Sequence, residues 1–222
     1  MDTQPVFPKG HLIDFENWER KDNYNFFRDF ENPSISITSE VECAGAKDRA
    51  KKNGQSFFLY YLYAILRAAN EIKELRFRIK NSGEIVCYET VDALCPIRMH
   101  QNGKFFTVRI PWIEDFDAFY KEARHIIDSI PEDGNPYESE NIATEDSRYS
   151  VILVSATPDL YFTSITYTQE RKSGSSYPLL NVGKAVTREG RLVMPVAIYV
   201  HHGFVDGAHI SDFFRKTEEY LK

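Results

Sequence analysis

Two adjacent histidines close an apolar run near the C-terminus, in Tyr199-Val200-His201-His202-Gly203-Phe204-Val205-Asp206-Gly207. An imidazole titrates near pH ~6.5 when unperturbed, so a histidine is suited to take the proton of an alcohol at neutral pH. Side chains alternate along a strand, so His201 and His202 point to opposite faces and only one can serve a given pocket. His202 stands next to Gly203 at the end of the apolar run, where a rigid element can aim it. Asp206 follows at the start of a helix. A carboxylate there satisfies free N–H groups, or meets an arginine brought from elsewhere, and holds the turn without touching the reacting proton. A lone strand-end histidine is more often structural; the His-x-x-x-Asp-Gly spacing is what favours His202 as a base.

A second segment, Val151-Ile152-Leu153-Val154-Ser155-Ala156-Thr157-Pro158, brings an apolar strand to Ser155. No Gly-x-Ser-x-Gly elbow surrounds this serine, which argues against a nucleophile. It reads either as a polar strand end before a proline turn or as a donor to a developing oxyanion, a contact worth roughly 3 kcal/mol when well placed. His201, His202, Asp206 and His209 fall close together in sequence, but adjacent histidines diverge and His209 sits on the next helix. That is a poor metal site, and no metal is expected.

Four helices and a set of strands must position these groups. Asp22 can cap a first helix with Tyr24, Phe27 and Phe30 along one side. Residues 57 to about 75, opened by Ser56, are apolar nearly all round and predict a deeply packed helix. Residues 115–128 and 208–221 repeat apolar residues at helical spacing. Strand patterns cover 34–38, 76–80, 84–88, 105–110, 149–155, 161–168, 180–187 and 191–201, with hairpins turning at Asn81-Ser82-Gly83 and Arg188-Glu189-Gly190. Pro195 cannot donate to a ladder and puts its stretch at an edge or a bulge. Residues 131–147 read as one long polar loop, and 46–54 as a solvated turn before a helix. Strands interleaved with helices give an α/β layered fold, and the hairpins make the sheet mixed.

The chain has 222 residues, which suits one domain spanning 1–222. A net charge of -6 and the absence of a basic face argue against nucleic acid. The odd set of three cysteines, Cys43, Cys87 and Cys95, has no Cys-x-x-Cys pair and fits a reducing compartment. No signal-peptide pattern and no membrane-length apolar run is present, so a cytoplasmic protein without a membrane partner is expected.

His-His-x-x-x-Asp-Gly after a strand like Leu192 to Val200 resembles the chloramphenicol acetyltransferase family. So do Trp18-Glu19-Arg20-Lys21 with the aromatic run that follows, Ser155-Ala156-x-Pro158, and Asn181-Val182-Gly183-Lys184, in the same order and at compatible separations. The likeness covers nearly the whole chain. His-x-x-x-Asp-Gly alone is shared with dihydrolipoyl acyltransferases, whose chains are normally longer; the Trp-x-Arg block and the bare core length make the match specific. The resemblance implies a two-layer sandwich and transfer of an acetyl group from acetyl-CoA to a hydroxyl of chloramphenicol or a similar acceptor, with antibiotic resistance as the associated role. It implies His202 as base, Ser155 as oxyanion donor, and an Asp206–Arg20 pair that fixes the loop. It also implies a homotrimer with active sites between subunits, acceptor contacts from Phe26, Phe27, Phe105 and Asn181, and Lys184 near the CoA tunnel. The chain departs from the family where Phe27 stands for a frequent Tyr, Asn181 for a Thr and Asp159 for a Trp. A catalytically silent binding relative is the other reading.

Overall fold

The computed structural model describes residues 7–98, 103, 105–131, 149–168 and 176–222. In chain order these form β1 (Gly10–Leu12), α1 (Lys21–Phe27), β2 (Ser34–Glu42), α2 (Ala44–Asn53), α3 (Phe57–Glu71), β3 (Phe77–Ile79), β4 (Ile85–Tyr88), β5 (Asp92–Arg98), β6 (Phe105–Ile110), α4 (Phe116–Asp128), β7 (Val151–Thr157), β8 (Leu179–Gly183), β9 (Val186–Arg188), β10 (Arg191–His201) and α5 (Gly207–Leu221). The main sheet runs β2-β10-β8-β7-β5-β6, with β9 beside β10, and a small sheet runs β1-β4-β3. β7 is parallel to both β5 and β8, while the β8–β10, β10–β2 and β5–β6 pairs are antiparallel. The expected α/β fold with a mixed sheet is what forms.

One face of the main sheet makes the core. Val154, Leu180, Val182, Val196, Ile198 and Val200 alternate onto it and pack with Leu62, Ile65, Leu66 and Ala69 of α3 and with Ile210 and Phe213 of α5. α3 is buried almost all round, as its composition requires. Arg78 of β3 is completely buried, and its guanidinium donates to the carbonyls of Leu75, Phe77, Tyr149 and Val151. Burial without a carboxylate pushes its pKa down. These bonds fasten the start of β7, the strand that carries Ser155, to the small sheet.

Several elements differ from expectation. Residues 46–54 are not a solvated turn; they belong to α2, whose Ala46 and Ala50 are buried. The lysines that suggested a solvated turn lie on its outer side, and Gly54 ends it in the left-handed region at φ 64°. Asp22 does not cap α1: Arg20 holds the cap position, and Asp22 lies inside the first turn. α3 stops at Glu71, and a short 3-10 turn over residues 73–76 takes up the rest. Residues 161–168 form no strand. Their tyrosines reach sideways instead: Tyr161 donates to Glu40 of β2, and Tyr167 to the Ala197 carbonyl at 3.1 Å. The run 180–187 is broken into β8 and β9, because β10 pairs with each over a different stretch. β10 is also no edge strand. Pro195 lies opposite the gap between the two, where no partner needs its missing N–H. Two strands, β1 and β5, carry no strand reading above. The 131–147 loop lies outside the described residues except Pro131.

Candidate active site

His201 and His202 diverge as alternation requires, and their surroundings differ sharply. His201 is buried between rings, 4.7 Å from Phe204 and 5.8 Å from Tyr24. Its Nδ1 accepts the Gly203 N–H at 3.1 Å, so the ring is neutral there. Burial, with a smaller contribution from His202, pushes its pKa down to about 4. Gly203 follows from the same packing. A Cβ there would lie 2.9 Å from the His201 ring and 3.0 Å from the Tyr24 Cα. His201 therefore shapes the turn.

His202 is half-buried at the mouth of that turn. Its backbone N–H donates to the Pro33 carbonyl at 2.8 Å, and its ring stacks on Phe27 at 4.2 Å with an interplanar angle of 22°. Nδ1 lies 3.0 Å from the Val205 carbonyl. A carbonyl can only accept, so Nδ1 carries the proton and Nε2 presents a lone pair. No described residue occupies Nε2.

Asp206 and Arg20 meet as expected. Arg20 Nη1 donates to Asp206 Oδ2 at 3.2 Å, and its Nε donates to the Gly203 carbonyl at 3.2 Å. Asp206 also caps α5, accepting from Ala208 N–H at 3.0 Å. Partial burial raises the Asp206 pKa, but His209, Arg20 and the Ala208 N–H together outweigh it and hold it below the usual range. His209 Nδ1 is within reach of both the Asp206 N–H at 3.2 Å and Asp206 Oδ1 at 3.0 Å. The neutral ring accepts the first contact; the protonated ring favours the second.

The buried His201 gives the fold a pH dependence. Between pH 6.5 and about 4 the unfolded chain binds a proton that folded His201 refuses, so stability falls as pH falls through that window and is fully present above it. A shift of this size corresponds to roughly 3 kcal/mol. Urea unfolding is expected to show about 2 kcal/mol less stability at pH 5 than at pH 7, with a shallower slope in His201→Asn.

Ser155 lies elsewhere. It sits half-buried on β7, in register with Asn181 of β8, which is in register with Ala197 of β10. His202 is five residues beyond Ala197 and two strands across from Ser155. At about 3.3 Å per residue and 4.8 Å between strands, the two Cα atoms are on the order of 15–20 Å apart, more than a serine and an imidazole can bridge. The predicted residues fall into two groups. Phe26 and Phe27 stand with His202, their rings 4.9 Å apart, and Phe26 is 65% exposed. Ser155 and Asn181 share the sheet face opposite the core with Phe105, which opens β6. Lys184 is exposed just past β8, its N–H bonded to the Leu160 carbonyl at 2.9 Å.

The sequence profile described as chloramphenicol acetyltransferase matches residues 9–218. The chain belongs to that family. A chloramphenicol acetyltransferase of Proteus mirabilis is 27% identical over 221 residues, covering 99% of this chain and 97% of its own. A solved structure of a chloramphenicol acetyltransferase is 64% identical with a TM-score of 0.92, covering 96% of this chain and all of its own. A dihydrolipoamide acetyltransferase of Azotobacter vinelandii shares the fold at 14% identity and a TM-score of 0.59, over 100% of this chain and 91% of its own. Membership of the chloramphenicol acetyltransferase family makes the chain an acyltransferase.

Three contributors had no functional reading above. Phe30 joins Phe26 and Phe27 at 5.4 Å from each. Its spacing from Phe27 pointed to one helix face, but it lies beyond the end of α1. Thr157 donates to Asn181 Oδ1 at 2.7 Å. The Val205 carbonyl that orients His202 is backbone, and leaves no mark in a sequence. Among the described residues no helix is long and apolar enough to cross a membrane.

Proposed function

We propose that the protein transfers the acetyl group of acetyl-CoA to a hydroxyl of chloramphenicol or a similar small alcohol, in a homotrimer whose active sites lie between subunits. The observation that carries the chemistry is the His202 ring, tethered through Nδ1 with its Nε2 lone pair free beside an aromatic cluster. The separation of His202 from Ser155 within one chain supports a site built from two copies.

In this reading the acceptor lies against Phe26, Phe27 and Phe105, with its hydroxyl at His202 Nε2. Nε2 takes the hydroxyl proton as the oxygen attacks the thioester carbonyl carbon. The carbonyl electron pair moves onto oxygen, and Ser155 Oγ of the neighbouring copy donates to that oxyanion. The adduct collapses, the carbon–sulfur bond breaks, and the departing thiolate of CoA takes the proton back from Nε2. Because the proton begins on the alcohol and ends on the thiol, the imidazole leaves neutral and no metal is needed. Asp206 and Arg20 hold the turn, and Lys184 lies beside the CoA tunnel. Phe27 has no hydroxyl, so it grips the acceptor by stacking rather than by a hydrogen bond. A cytoplasmic location belongs to the same reading, supported by three unpaired cysteines.

The test is thiol release from acetyl-CoA with a panel of alcohols that includes chloramphenicol. Acceptor-dependent release with an aromatic alcohol is the expected result. Acetyl-CoA and acceptor that bind without thiol release would favour the silent relative.

A further inference from the structure

The peptide unit between Val205 and Asp206 is held at both edges. Its carbonyl accepts from His202 Nδ1 at 3.0 Å, and its N–H donates to His209 Nδ1 at 3.2 Å. A trans peptide is planar and points its C=O and N–H in opposite directions, and among the described residues no peptide bond is cis. The two imidazoles therefore lie on opposite edges of one rigid plate. A tilt that takes the N–H off His209 also turns the carbonyl away from His202.

The rest of the turn is tied to other partners. The Val205 N–H donates to the His201 carbonyl at 3.0 Å, and the Asp206 carbonyl accepts from the Ile210 N–H at 3.1 Å. Arg20 takes the Gly203 carbonyl and Asp206 Oδ2. None of these bonds falls on the 205–206 unit itself. His209 is the third residue of α5, a helix anchored by buried Ile210, Phe213 and Leu221. Its ring reaches back to the cap N–H, where a capping box usually has a Glu or Gln. The far nitrogen, Nε2, lies 3.7 Å from Oε1 of Glu74, whose side chain is only 19% exposed. That is too long for a hydrogen bond. A carboxylate on that side still favours the proton on Nε2 and leaves Nδ1 as the acceptor. Asp206 Oδ1 is also 3.0 Å from Nδ1, but it accepts the Ala208 N–H, so the carboxylate is held without the ring.

We infer that His209 is a positioning residue for the base: it fixes the Val205–Asp206 peptide by its N–H, and the carbonyl on the other edge keeps the His202 proton on Nδ1 and the Nε2 lone pair toward the acceptor. This rests on the acyl-transfer reading above. The bond at the N–H also makes the carbonyl of the same unit a stronger acceptor. Released from His209, the peptide can tilt, and His202 gains the tautomer with its proton on Nε2. That tautomer has no lone pair there to receive a hydroxyl proton.

The experiment compares His209→Leu, His209→Gln, His209→Lys and His202→Ala with the unaltered protein by kcat, by KM for acetyl-CoA and for the alcohol, and by melting temperature. The His202 tautomer is read from the NMR shifts of its ring nitrogens at pH ~8.5, where an imidazole is ordinarily neutral, with His202→Ala identifying its signals. His209→Leu is expected to lower kcat about tenfold with both KM values nearly unchanged, and to move His202 toward the Nε2–H tautomer. His209→Gln restores the acceptor and is expected to recover most of the loss. His209→Lys can pair with Glu74 but cannot accept from the Asp206 N–H, so it is expected to stay slow at a nearly normal melting temperature. A purely structural role would lower the melting temperature and leave kcat and the tautomer alone. If folded His209→Leu keeps full kcat and the Nδ1–H tautomer, or if His209→Lys matches His209→Gln, this inference is overturned and the acyl-transfer reading stands. If His202→Ala keeps full kcat, the acyl-transfer reading fails, and the His202 tautomer in the His209 variants still decides whether His209 orients that ring. Should His209→Leu melt early, the comparison of His209→Gln with His209→Lys carries the test.

Discussion

His202→Ala is expected to reduce kcat by 10²–10⁴-fold, about 3–5 kcal/mol of transition-state stabilisation, with little change in fold stability. The ring is half-buried and its loss removes one stacking contact with Phe27 and one hydrogen bond to the Val205 carbonyl. The backbone bond from His202 to Pro33 survives the substitution, so the turn keeps its tie to the start of β2. The companion variant His201→Ala is expected to behave the opposite way. It opens a hole among Tyr24 and Phe204 and removes the acceptor for the Gly203 N–H, so its main cost is in melting temperature. Steady-state kinetics and thermal melts of the two variants, measured side by side, separate a histidine that reacts from one that only shapes the turn. Full activity in a folded His202→Ala protein would remove the general base.

Much of this division was legible in the residues themselves. Alternation alone shows that adjacent histidines at a strand end must part company, and His202 beside a glycine is the one left free to reach a pocket. The cap by Asp206 follows from a carboxylate at a helix start, whereas its pairing with Arg20 was implied only by the resemblance to the family. The strands β6 and β10 and the helices α4 and α5 were read almost to the residue, because their apolar periodicities are long and unbroken.

What could not be read has physical causes too. α2 hides behind its lysines: only Ala46 and Ala50 face inward, too small to produce an apolar stripe. Residues 161–168 alternate like a strand, but their tyrosines bond sideways to β2 and β10 instead of joining a ladder. Nothing in the sequence alone measures the distance between Ser155 and His202. Only the registers of β7, β8 and β10 show that one chain holds His202 and Ser155 on different parts of the sheet.

That separation yields the second large effect. Ser155→Ala, like His202→Ala, is expected to be nearly inactive by itself, losing about 10²–10³-fold from one missing oxyanion donor. In a ring of identical subunits, each site would take His202 from one copy and Ser155 from the next. Coexpressing the two variants would then rebuild intact sites at some interfaces. With random assembly, about a quarter of the interfaces join an unaltered His202 to an unaltered Ser155. Neither chain alone carries both groups, so a site confined to one chain can gain nothing from mixing.

The decisive measurement is therefore the specific activity of mixed assemblies of His202→Ala and Ser155→Ala chains, purified through two different tags. Every mixed trimer has one interface in three that joins an unaltered His202 to an unaltered Ser155, so recovery to about a third of the unaltered protein's kcat is the predicted result. Activity that stays at the level of the two parents, in mixed assemblies that are folded and contain both chains, would contradict a site shared between subunits.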